Sequence, residues 1–282
     1  MRLLKILLAI FLALFVLPTA ANLALVALDD RATAWQEADP SSVAFLPAAG
    51  SHPQARILIM SARLSGHLRG RFFSHSWVVL KGENAPSWDR YDVIGWTRWP
   101  GATGLTSGGR WFNQRPVLNG WDPASDWYGN PPEVVLDISG PEAAALIPKV
   151  EAAINAYEGQ AGKYRVWPGP NSNTFVATVL RAVPELGTTL PPTAIGKDYR
   201  PGLYLGLTDT RTGLEASVWG VLGLKIGWHE GIEANLLSFV AGLDLRRPGL
   251  KLPGFGRVGL GGGAALASET ASSPRPPAVM PR

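Results

Sequence analysis

The stretch YRVWPGPNSNTFVATVLRAVPEL, residues 164–186, decides the fold. Pro168, Gly169 and Pro170 make a stiff turn. Asn171, Ser172 and Asn173 behind it are all good helix N-caps, because each carries a short side-chain oxygen that accepts from free backbone N–H groups. Phe175, Val176, Val179, Leu180 and Val183 then fall on one face of a helix. The expectation is a helix whose N-terminus is presented at the end of a rigid loop and whose apolar face packs on a sheet.

The sheet is sought upstream. Residues 56–64, 74–81 (SHSWVVLK) and 91–98 (YDVIGWTR) carry β-branched and aromatic residues between turn signals and read as successive antiparallel strands, with a shorter one at 134–138. Pro141 opens a second helix running to about Tyr157, with Ala144, Ile147, Val150, Ala153 and Ile154 at helical spacing. Pro148 is expected to kink or shorten it. Residues 101–130 read as a long ordered loop region. Residues 214–245 are apolar but interrupted by Lys225, His229, Glu230 and Glu233, so they predict short strands or hairpins instead of a spanning helix. The fold class is α/β (α+β), an antiparallel sheet packed on helices.

At the start of the chain, residues 6–28 form an almost unbroken apolar run after Arg2 and Lys5, long enough as a helix to cross a bilayer. Basic residues before it, and Asp29 and Asp30 after it, put the N-terminus in the cytoplasm and the remainder outside. A cleaved signal peptide ending near Thr19 or Ala21 is the competing reading, and both export the body. The expected organisation is an anchor or signal segment at 1–31, a linker at 32–55 rich in proline, serine and alanine, one globular domain at 56–260 and a disordered tail at 261–282. The location is the cytoplasmic membrane, single-pass, with the domain on the periplasmic or extracellular side.

Composition narrows the function. With 46% hydrophobic and 17% charged residues, the 282-residue chain has ample material for a core. A net charge of +4, spread in ones and twos, does not call for nucleic acid. The absence of cysteine excludes disulfides, thiolate metal sites and a cysteine nucleophile, and suits an oxidising compartment. No cofactor and no metal are expected: His67 and His229 have no partner at ligand spacing, and His52 lies in the linker.

The remaining chemistry centres on Ser172. A helix N-terminus offers N–H groups and partial positive charge to an oxyanion, and an imidazole could take the serine proton. His75, at the start of a strand, is the candidate base, with Asp92 or Thr97 to orient it. Asn171, Asn173, Trp96 and Trp167 are the candidate binding residues around the pair. The same residues also have a reading without chemistry, as helix caps and a hydrogen-bonded strand histidine. The chain has 11 tryptophans, and Trp88, Trp96, Trp99, Trp111, Trp121 and Trp127 are crowded so that they either line a groove for an acyl chain or glycan or pack a loop-rich core. Arg63, His67, Arg69 and Arg71 form a basic cluster suited to anionic lipid headgroups or to a solvated loop.

Residues 167–187 (WPGPNSNTFVATVLRAVPELG), 191–199 (PPTAIGKDY) and 127–140 (WYGNPPEVVLDISG) resemble the bacterial family named domain of unknown function 3750, and the resemblance runs on through KLPGFGR at 251–257. It implies membership without implying an activity. A more remote resemblance is to circularly permuted papain-like proteins, the group of lecithin retinol acyltransferase and the NlpC-type peptidases. There a strand beginning with histidine precedes an asparagine-cysteine pair at a helix start, as His75 precedes Asn171-Ser172 here. Serine stands in the cysteine position, and a serine hydroxyl stays protonated where a thiol ionises. The resemblance implies a permuted papain-like fold and amide or ester hydrolysis or acyl transfer. The rival is a non-catalytic envelope module that binds a lipid, a cell-wall ligand, a peptide or a partner protein.

Overall fold

In the computed structural model, residues 1–28, 46–64, 66–94, 116–157 and 164–259 are described. The tail and most of the linker lie outside them. The chain opens with α1, Arg2–Val26, a helix long and apolar enough to cross a membrane. Its first partly buried positions are Leu14 and Phe15, and Pro18 and Asn22 are buried. From there on, the helix leans on the body. Asn22 Nδ2 donates to Pro18 O and to Pro253 O, both at 3.2 Å.

The first sheet contains β1 (Arg56–Arg63), β2 (Ser74–Lys81), β3 (Asp89–Asp92), β4 (Val117–Leu118) and β5 (Glu133–Ser139), in the order β4-β3-β2-β1-β5 and antiparallel throughout. A short helix, α2 (His67–Phe72), joins β1 to β2 and touches the second half of α1, so His67, Arg69 and Arg71 of the basic cluster lie on an element beside the apolar helix. Two further helices, α3 (Pro141–Ala156) and α4 (Ser172–Ala182), cover one face of the sheet.

Residues on β1 and β2 are buried on both sides, and alternation sorts them into two cores. Ile57, Ile59, Val78 and Leu80 meet Val150, Ile154, Phe175, Val176 and Val179 from the helices. Leu58, Met60, Trp77 and Val79 meet Trp127 and Tyr128 from the loop layer on the other face. Helix α3 continues through Pro148 to Ala156 because Ala143 and Leu146 anchor it before the proline, and Val150 and Ile154 after it. Its buried stripe is thus turned by about one residue from the expected one.

The expected hairpins of residues 214–245 belong to a larger, second sheet. Seven strands follow one another as an antiparallel meander: β6 (Leu203–Leu207), β7 (Gly213–Val218), β8 (Leu222–Gly227), β9 (Gly231–Leu236), β10 (Phe239–Asp244), β11 (Gly249–Leu252) and β12 (Gly256–Gly259). Its polarity is inverted. The inward face carries Glu215, Ser217, Lys225, Glu233, Asn235 and Lys251, all buried, while Leu205, Leu214, Leu224 and Ile226 point outward and are exposed.

The inward charges are paired. Asp198, from the loop after α4, accepts from Lys197 at 2.8 Å, Lys225 at 2.6 Å and Asn235 at 2.9 Å. Glu233 bridges Lys197 and Lys251, and Asp209 joins Arg181 of α4 to Arg200. Burial works to raise the carboxyls of Asp198, Asp209 and Glu233, but the surrounding lysines and arginines outweigh it and hold all three below their ordinary values.

Removing one partner leaves the others as uncompensated buried charges. Lys225→Met is therefore expected to destabilise the body by about 3–5 kcal/mol in urea unfolding followed by tryptophan fluorescence. Lys149→Met, which breaks the exposed pair with Glu185, should leave the midpoint unchanged. Because the three carboxyls sit below their unfolded values, their contribution is complete at neutral pH. It should be lost as the pH falls through about 4 and below.

Candidate functional site

The turn before α4 holds cis Trp167–Pro168 and Gly169–Pro170 peptide bonds. Asn171 caps the helix as foreseen: its side chain accepts from the Asn173 and Thr174 backbone N–H groups, and the Thr174 hydroxyl accepts from the Asn171 N–H. Asn171 Nδ2 donates to Val166 O and Ile195 O. It sits against Gly196, whose φ of +85° and lack of Cβ leave room for the amide. Asn173 Nδ2 donates to Ser74 O and Ile195 O at 2.9 Å each, tying the helix start to the beginning of β2. Its Oδ1 is buried without a hydrogen-bond partner.

Ser172 is buried, and the group bonded to its side chain and backbone is the Tyr164 hydroxyl; burial nonetheless raises that phenol above its ordinary value. Tyr164 packs on the helix-side core. His75 belongs elsewhere. It shares the parity of Trp77 and Val79 on β2, and its ring stacks on Trp127 at 4.1 Å and on Trp77 at 5.7 Å, within the loop-side core. Tyr164, the neighbour of Ser172, thus packs in the helix-side core and the His75 ring in the loop-side core, and no hydrogen bond joins Ser172 to His75 among the described residues.

What the structure does bring together is His75, Asp92 and Arg90. Nε2 of His75 lies 2.6 Å from Asp92 Oδ1. Arg90 holds the other carboxylate oxygen through Nε at 2.7 Å and donates to Asp122 O and the Ser125 hydroxyl. The guanidinium lies 4.0 Å from the centre of the Trp77 ring. Asp92, one of the two residues considered for orienting His75, is thus its partner. Thr97, the other, lies outside the described residues.

Burial works to raise the Asp92 carboxyl, but Arg90 and His75 hold it below its ordinary value. An ionised Asp92 only accepts, so Nε2 of His75 carries the proton. Burial also pushes the imidazole below its ordinary value, outweighing the pull of Asp92. The result is a neutral, oriented imidazole between two indoles.

Of the candidate binding residues, Asn171 and Asn173 are committed to the helix start. Trp167 is half exposed and donates to Leu237 O in the turn between β9 and β10. Trp96, like Trp99 and Trp111, lies outside the described residues. Trp121 and Trp127 pack over Arg90 and His75, and the Trp88 indole donates to Pro47 O. Among the described residues, no group of three or more His, Asp or Glu is placed to hold a metal.

Sequence reasoning missed a cleft of about 470 Å³ between the open edge of β5 and strands β10–β12. It is lined by Arg63, Arg246, Arg247, Lys251 and Arg257, with His229, against the acids Glu133 and Asp244. Arg63 donates to Gly254 O, next to the Pro253 carbonyl that receives Asn22 of α1. Arg246 Nη1 lies 2.7 Å from His229 Nδ1. Four of the basic residues fall within 246–257 (RRPGLKLPGFGR), a signal the sequence did carry, and the fold brings Arg63 of β1 to them.

These features define a mixed α/β protein of two antiparallel sheets with an N-terminal apolar helix. Residues 54–199 match the family model described as Protein of unknown function (DUF3750), which covers more than half of the chain, and the chain belongs to that family. The match ends just before β6, so the second sheet lies beyond it. Neither the curated proteins nor the solved structures give a match.

Because the folded imidazole sits below the ordinary 6.5, its neutral burial contributes fully above that pH and is lost as the pH falls. Urea unfolding should show stability declining from about pH 6.5 downward. The decline should be smaller in His75→Gln, which keeps an amide donor for Asp92 and does not titrate.

Proposed function

We propose that this protein is a membrane-anchored binding module, held by α1 with its body on the periplasmic or extracellular side, whose inter-sheet cleft takes the phosphate of an anionic lipid headgroup. The observation that carries the reading is the lining of the cleft, in which Lys251 is held by Glu233 and Arg257 by Asp244 while Arg63 and the exposed Arg246 and Arg247 add further positive charge. Guanidinium groups match phosphate oxygens in paired geometry. The cleft also begins where α1 docks, which puts it within reach of a membrane surface. The ligand is bound and is not chemically changed.

The papain-like reading, amide or ester hydrolysis or acyl transfer with Ser172 as nucleophile, has one supporting feature, the His75 imidazole oriented by Asp92 on the next strand. Against it stand the surroundings of the pair: Ser172 neighbours Tyr164 of the helix-side core, whereas the His75 ring stacks on tryptophans of the loop-side core. A general base must lie within hydrogen-bond distance of the proton it removes.

Two measurements on the full-length protein in detergent separate the readings. Dihexanoyl-phosphatidylglycerol is expected to bind by calorimetry, and Arg246→Ala with Arg247→Ala to weaken it about tenfold, the loss of one to two kcal/mol from exposed charge contacts. Equal affinity in the double variant ends the binding proposal. A fluorophosphonate probe should give no labelling that disappears in Ser172→Ala. Labelling that does depend on Ser172 would restore the enzyme.

A further inference from the structure

The outer face of the second sheet is built of apolar rows that run from strand to strand. In the first, Leu203, Val218, Leu222, Leu236 and Phe239 are cross-strand partners in sequence. In the second, Leu205, Ala216, Leu224, Ala234 and Ala241 follow one another in the same way. The third continues from Leu207 through Leu214, Ile226, Ile232 and Leu243 to Leu250 and Val258. No charged residue interrupts these rows.

Leu205 is 82% exposed and Leu224 66%. With strands ~4.8 Å apart and a rise of ~3.4 Å per residue, the rows lie within roughly 14 Å along the strands and run roughly 19 Å across β6–β10, the third reaching roughly 29 Å at β12. A patch of that size, a few hundred Å², is comparable to the largest on a typical soluble monomer and is often functional.

The occupant is indicated by α1. Residues 2–13 are exposed on every side, and at ~1.5 Å per residue they extend about 18 Å, short of the roughly 30 Å of a hydrocarbon core. To span a bilayer, α1 must also use its second half, the part that touches the body. Its Leu12–Val16 segment contacts β10, and Asn22 bonds the turn between β11 and β12. Spanning by α1 therefore draws that margin of the second sheet down to the membrane, where Ala241 is 1% exposed while Leu224, two strands away in the same row, is open. Trp219 and Trp228, exposed at the two ends of β8, are the residue type that settles at the headgroup boundary.

We propose that the outer face of the second sheet is seated in the outer leaflet alongside α1, its leucines and isoleucines covered by lipid acyl chains. The sheet lies face-down, because the unpaired backbone edges of β6 and β12 must stay at the hydrated headgroup level. The inference does not depend on what the cleft binds: it concerns the opposite side of the sheet.

Since the chain has no cysteine, single-cysteine variants of the full-length protein can be labelled cleanly. Leu205→Cys, Leu224→Cys and, as an aqueous reference on α3, Glu142→Cys would carry a bimane probe in phosphatidylglycerol–phosphatidylcholine vesicles. A probe seated ~5–10 Å below the headgroups should lose about half or more of its emission to doxyl-labelled lipid and resist aqueous iodide. The result is expected at positions 205 and 224, and the reverse at 142. Iodide quenching at 205 and 224 as strong as at 142 overturns the proposal. So does cross-linking between Leu205→Cys copies without lipid quenching, which would make a second copy the occupant. Unchanged circular dichroism of each labelled variant in detergent establishes that the probe reports on the folded sheet.

Discussion

The buried carboxylate of Asp198 is the interaction on which the two-sheet arrangement depends. It receives two lysines and an amide, one from its own loop and two from β8 and β9. Taking such groups out of water is expensive, and only near-complete pairing makes it tolerable. The pairing is extended by the inward row itself, where Glu215, Lys225 and Glu233 are cross-strand neighbours and Lys251 closes on Glu233. The second sheet is thus attached to the family-matched unit by charge complementarity, together with an aromatic contact of Phe239 on Phe72 and Phe73. Strand alternation does the rest: with the charges inside, the leucines must face out.

That inversion explains what could be read beforehand and what could not. The segment GLEASV…LGLKIG…GIEANL alternates apolar and polar residues at period two, so strands were legible. Alternation defines two faces but does not say which is inside. The usual assignment would bury the leucines, and here the partners of the inward charges, Lys197 and Asp198 in a loop, are brought near only by the fold. The polar residues Lys225 and Glu233, which break up the apolar run in sequence, turn out to be the attachment.

The candidate pair of Ser172 and His75 shows a different limit. Helix α4 begins at Ser172 with its cap as expected, and β2 covers residues 74–81 as read. On an amphipathic strand the parity of His75 would have been plain. SHSWVVLK is buried along its whole length, so its residues carry no polarity that tells one face from the other. Val78 and Leu80 meet helices while His75 and Trp77 meet the tryptophan-rich loop layer, a choice made by what covers the sheet. The Asp92 pairing was accessible in principle, since β3 is the next strand and Asp92 has the matching parity.

The apolar composition of α1 reads the same for a cleaved leader, a free anchor and a docked one. One residue departs from that uniformity. Asn22 is a polar side chain within the apolar run, and a polar group at membrane depth needs a partner. It finds the Pro18 carbonyl on its own helix and the Pro253 carbonyl on the sheet. Pro253 is followed by Gly254, whose carbonyl holds Arg63 in the cleft lining. A single turn thereby links the membrane helix, the margin of the apolar sheet and the basic cleft, so the position of the helix in a bilayer bears directly on the depth at which that cleft opens.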